Sequence, residues 1–90
     1  MGIYTGVGYI GLAVSSAAVA LGTLPSGADR AVVIVEGGPV RWRDDGTMPT
    51  ASVGMPLKDG DGMNFDGDLT ALRFIRSGAT DAVVHISYYR

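Results

Sequence analysis

The stretch from Asp44 to Asp68 sets the limit on what this chain can become. It carries Asp44-Asp45-Gly46, Met48-Pro49, Gly54, Met55-Pro56, Asp59-Gly60, Asp61-Gly62 and Asp66-Gly67. Turn formers at that density leave room only for strands of about three to five residues, of which Met63 to Phe65 is the clearest. No long helix fits, because Pro removes a backbone donor and Gly is a poor helix former. Each Asp-Gly pair reads as a turn, with Asp accepting local backbone hydrogen bonds and Gly taking the left-handed conformation.

The flanking segments carry strand patterns. Arg30 to Glu36 is a β-branched run, apolar at both alternating sets of positions, and reads as a central strand covered on both faces. Gly37-Gly38 separates it from Val40 to Arg43, a spacing that predicts a hairpin, with Pro39 suited to a first strand position. In the second arm Val40 and Trp42 point one way and Arg41 and Arg43 the other. The arginines are expected to pair with nearby Asp, and Trp42 to pack in a core or a subunit contact. Leu24 to Gly27 is a turn by composition. Strands are expected around Tyr9 to Ser15 and Ala18 to Leu21. From Asp68 to Arg76 two patterns compete: a helix capped by Asp68, or one turn at Leu69 to Ala71 followed by a strand. The second is favoured, since ten residues is short for an isolated helix. Asp81 to Tyr89 alternates cleanly, with Ala82, Val84, Ile86 and Tyr88 on one face.

About seven or eight short strands at regular spacing predict an all-β fold, a single small antiparallel β-sandwich or jelly roll. The expected division is a flexible N-terminal arm over residues 1–11 and one domain over residues 12–90.

Composition then narrows the function. The 90 residues are 47% hydrophobic and 18% charged, a folding composition. Seven basic residues against nine acidic ones give a net charge of −2, which supplies no footprint for nucleic acid. With no Cys there is neither a disulfide framework nor a thiolate. No charge occurs between Met1 and Ala28, yet the segment lacks the positive flank of a signal peptide, and its glycines and serines dilute any spanning run, so no membrane partner is expected. A core this small gains from self-association or from docking on a larger assembly.

The search for chemistry returns little. His85 is the lone histidine, and with Ser87 beside it on one strand face it would still lack an orienting acid and an oxyanion hole. The Asp59 to Asp68 run fails the EF-hand pattern at Met63, Asn64 and Thr70. Gly6-Val7-Gly8-Tyr9-Ile10-Gly11 matches a dinucleotide fingerprint by letters alone, with no strand before it. The expectation is a protein that is not an enzyme and uses no cofactor and no metal. Tyr4, Tyr9, Trp42, Tyr88 and Tyr89 are the residues expected at an interface, being of the types enriched at hot spots.

Three segments, Arg30 to Gly54, Leu69 to Ala82 and Val84 to Arg90, resemble a group of small proteins encoded by tailed bacteriophages. These occur among virion structural genes near the capsid genes, as head decoration (cement) or other virion components. The likeness covers roughly Ser15 to Arg90 and is most specific from Val32 to Thr50. It implies a virion location, with the major capsid protein or other virion subunits as partners and a homo-oligomeric state. The segment Met1 to Gly11 lies outside it. As an extended arm that segment would suit strand addition onto a neighbouring subunit.

Overall fold

The computed structural model describes residues 4–90, so the first part of the expected arm lies outside the described residues. Eight strands follow one another: β1 (Gly6–Val14), β2 (Val19–Ala20), β3 (Arg30–Glu36), β4 (Val40–Arg43), β5 (Met55–Leu57), β6 (Gly62–Phe65), β7 (Arg73–Arg76) and β8 (Ala82–Tyr89). They form two four-stranded antiparallel sheets, ordered β1-β8-β3-β6 and β2-β7-β4-β5. First pairs with last and so on inward: β1 with β8, β2 with β7, β3 with β6, β4 with β5. That nested pairing is the order of a jelly roll, one of the two architectures the strand count predicts. Among the described residues there is no helix at all, and so none long and apolar enough to cross a membrane.

Alternation places the core. Val33 and Val35 on β3, Val40 and Phe74 on the facing sheet, and Val84, Ile86 and Tyr88 on β8 are fully or almost fully buried between the sheets. Leu72, just before β7, is fully buried in the same core. At an apolar-burial worth of roughly 25 cal/mol per Å², this single layer supplies most of the folding drive.

Three expectations change. The arm is largely a strand: β1 starts at Gly6 and is paired with β8 along its length, because Ile10, Leu12 and Val14 supply an inward face to the core. Gly37-Gly38 does not close a hairpin. β3 pairs with β6 and β8 while β4 pairs with β5 and β7, so the two glycines carry the chain from one sheet to the other. Gly37 takes φ +97°, and a Cβ on Gly38 would stand 2.7 Å from Thr80 Oγ1. Finally, β3 is central in its sheet but covered on one face only. Ala31, Val33 and Val35 are buried, whereas Ile34 is 49% exposed.

The preferred reading of Asp68 to Arg76 is the one found, a turn followed by β7. Asp68 Oδ1 accepts the Thr70 N–H at 2.9 Å, and the Ala71 N–H donates to the Asp68 carbonyl at 3.1 Å. The Asp-Gly pairs are less uniform than expected: Gly46 and Gly60 take positive φ, while Gly62 and Gly67 do not, Gly62 having entered β6.

Two carboxylates tie turns to charge. The Thr70 hydroxyl and amide hold Asp68 below its ordinary value of 3.8, and the Arg43 guanidinium does the same for Asp45. Folded pKa values lowered in this way add stability above the unfolded value and lose it as pH falls through the folded one. The melting temperature is therefore expected to drop below about pH 4, and less steeply in an Asp45→Asn/Asp68→Asn variant. Circular dichroism melts from pH 5 downward test this; an unchanged slope in the variant would remove these two groups from the account.

Candidate functional site

The outer face of the β1-β8-β3-β6 sheet gathers most of the residues expected at an interface. On β1 the outward positions include Tyr9, Gly11 and Ala13; they register with Ser87, His85 and Val83 of β8. Those in turn register with Val32, Ile34 and Glu36 of β3. Tyr9 is 61% exposed and Val83 38%, so with Ile34 an apolar file crosses three adjacent strands in the open. Among the described residues the remaining large exposed hydrophobics are Tyr4 near the same sheet and Met48, Val53 and Met55 on the far loop and strand.

Within that face Tyr9 is held, not loose. Its hydroxyl donates to His85 Nδ1 at 2.6 Å, and His85 Nε2–H donates to Glu36 Oε1 at 2.8 Å. The carboxylate accepts only, so Nε2 carries a proton, and in the neutral imidazole Nδ1 is then the acceptor for the phenol. The two rings lie nearly parallel, at 17° with centroids 6.0 Å apart. Gly11 makes this possible: a Cβ there would stand 3.3 Å from the Tyr9 hydroxyl. The orienting acid missing from the sequence reading is thus present as Glu36, brought in from β3. Ser87 makes no hydrogen bond to His85, and the hydroxyl on the imidazole is that of Tyr9. The chain carboxylate–imidazole–phenol lies flat on an open sheet and pins an aromatic ring.

Beside the face is a cleft of about 350 Å³. Tyr4, Arg30, Val32, Asn64, Asp66 and Tyr89 line it. The Arg30 guanidinium lies 3.8 Å from the centroid of the Tyr4 ring, a cation–π contact that orders both. Neutral hydrogen bonding from Asn64, one carboxylate, one guanidinium and two phenol rings converge there.

Tyr4, Tyr9 and Tyr89 therefore share one side of the molecule, while two predicted interface residues do not join them. Tyr88 is fully buried in the core, because the alternation that turns Tyr89 outward turns Tyr88 inward. Trp42 faces inward from the other sheet, half-buried, with its edge against Phe65 at 5.7 Å between centroids. Only one of the two neighbouring arginines pairs with Asp: Arg43 meets Asp45, whereas Arg41 donates to the Ala51 and Gly54 carbonyls. His85 lies on the strand face the alternation gives it, beside Ser87, whereas Glu36 and Arg30 are brought to it by the β3 to β8 register, which no local pattern encodes.

Among the described residues no three His, Cys, Asp or Glu side chains come together as a metal site. Along the acidic run Asp59 Oδ1 accepts the Gly37 N–H, Asp61 Oδ2 accepts the Lys58 N–H, and Asp68 holds its turn. No family model matches the chain, and no curated protein and no solved structure is similar to it.

Proposed function

We propose that this protein is a non-enzymatic structural component of a tailed-phage particle, docking on capsid subunits through the outer face of the β1-β8-β3-β6 sheet and strengthening the shell. One observation carries the docking half of the reading. The outward face of β3 carries Val32 and an exposed Ile34 between Arg30 and Glu36, and the domain covers only the inward face, Ala31, Val33 and Val35. Covering Tyr9, Ile34 and Val83 with a partner would gain roughly 1.5–3 kcal/mol for each large side chain fully buried. The Glu36–His85–Tyr9 chain supports it further, since a ring already fixed loses little freedom on binding. The virion half rests on the resemblance of the Arg30 to Gly54 and Val84 to Arg90 segments, and a jelly roll is an architecture that viral shell proteins use.

The test is copurification with intact particles, and re-addition of purified protein to particles lacking it. Ile34→Asp, on the exposed side of a folded domain, is expected to weaken particle binding at least tenfold, as loss of a central apolar contact does. A protein absent from mature virions, or Ile34→Asp binding as well as the parent, would refute the proposal.

A second reading, saccharide binding, has its own observation. Its site is the Tyr4–Tyr89 cleft, where phenol faces and the Arg30, Asn64 and Asp66 polar groups suit a neutral hydroxylated ring. Glycan binding lost in Tyr89→Ala and retained in Ile34→Asp would favour it over capsid docking.

A further inference from the structure

We infer that β1 is a pairing edge for a second copy of this chain, giving a two-fold dimer in which the β1-β8-β3-β6 sheets join into one eight-stranded sheet. The four strand edges of the sandwich differ sharply in how they are protected. β2 is two residues long, β5 is three residues with Pro56 at its centre, and β6 is four residues flanked by Asp59, Asp61, Asp66 and Asp68. Short length, Pro and charge are the usual means of keeping edges from joining. β1 has none of them. It runs nine residues, Gly6–Val14, without a charge or a proline, and its sole irregularity is the register shift between Gly6 and Gly8 at one end. Beyond its pairing with β8 and the Thr5 and Arg90 backbone bonds, no other described segment donates to or accepts from the β1 backbone.

The occupant follows from symmetry and charge. An antiparallel pair of identical strands is isologous, so any charged outward residue near the axis would meet its own like-charged copy. An uncharged strand has no such clash, and among the described residues this is the one uncharged edge of useful length. Tyr9, Gly11 and Ala13 stay on the outer face of both copies, and Ile10, Leu12 and Val14 on the inner face of both. Because the axis stands perpendicular to the joined sheet, both Tyr9–Val83–Ile34 files face the same way. The pairing does not depend on what that face docks on.

The purified full chain tests it alone. Sedimentation equilibrium is expected to show reversible self-association from 9.3 kDa to twice that mass. Amide exchange along β1 should slow as concentration rises, while β6 amides stay unchanged. The absence of native Cys allows single-cysteine variants: of Tyr9→Cys, Gly11→Cys and Ala13→Cys, the one nearest the axis, which alone faces its own copy, should crosslink as a disulfide dimer at a rate at least ten times that of Asn64→Cys on the β6 edge. Lysine at that same position should weaken dimerisation at least tenfold with the far-ultraviolet spectrum unchanged. A chain monomeric to millimolar concentration, or β1 cysteines crosslinking no faster than Asn64→Cys, would overturn the inference. So would a dimer whose β1 amides exchange at the monomer's rate.

Discussion

Tyr88→Ala is expected to cost about 3–5 kcal/mol, the range for emptying a large aromatic site in a packed core. Domains of this length hold roughly 5–13 kcal/mol in total, so that single change removes a large share of the stability. Tyr88 is fully buried in the layer between the sheets and is the largest side chain there. Its hydroxyl, though, has no hydrogen-bond partner among the described residues, and burial pushes the phenol pKa up by disfavouring the charged form. An unpaired buried hydroxyl carries a desolvation cost of about 1–3 kcal/mol. Tyr88→Phe should therefore be neutral or stabilising, by up to about 1–2 kcal/mol, as it keeps the ring and removes the orphaned oxygen. Urea unfolding followed by Trp42 fluorescence separates the two. A Tyr88→Phe variant less stable than the parent by more than about 1 kcal/mol would mean that the hydroxyl is paired.

The same residue marks where sequence reading succeeds and fails. Period-two alternation in Ala82 to Tyr89 correctly put Tyr88 on the face shared with Val84 and Ile86. Hot-spot enrichment of tyrosine then suggested an interface, and composition was the weaker guide because it ignores parity. Strand positions were legible wherever alternation or turn chemistry acts locally, as at Gly62–Phe65 and at the turn before Arg73. Connectivity between sheets was not. Two glycines between strands look alike whether the chain folds back in one sheet or crosses to the other, and the choice depends on β6, β7 and β8, each more than twenty residues away. For β3 the β-branched run locates the strand but does not by itself set how many faces are covered: Ala31, Val33 and Val35 are buried, while the other set is Arg30, Val32, Ile34 and Glu36, charged at both ends. The Glu36–His85–Tyr9 chain was hidden for a similar reason, since it joins residues 49 and 76 positions apart.

Gly54→Ala is expected to be the most damaging small change outside the core, at about 2–4 kcal/mol. Gly54 takes φ +143°, a conformation that costs an L-residue roughly 1–3 kcal/mol. Space is short as well: an added Cβ would lie 3.1 Å from Arg41 Cβ, 3.1 Å from the Trp42 carbonyl oxygen and 3.2 Å from Pro49 Cβ. None of these is the free end of a flexible side chain, so crowding adds to the strain, where overpacking typically costs about 1–3 kcal/mol. Gly54 is also poorly placed to retreat, because Arg41 Nη1–H donates to its carbonyl at 2.8 Å while Nε–H donates to the Ala51 carbonyl at 3.1 Å. Gly46 supplies the control. It takes φ +87° with nothing within 4 Å of a Cβ, so Gly46→Ala carries the backbone strain without the collision and should cost about 1 kcal/mol. If chemical denaturation finds the two alanine variants equally stable, the loop gives way at Gly54 and Arg41 does not clamp it. If Gly54→Ala is worse by about 1–3 kcal/mol, the difference measures how tightly the guanidinium holds that loop against β4.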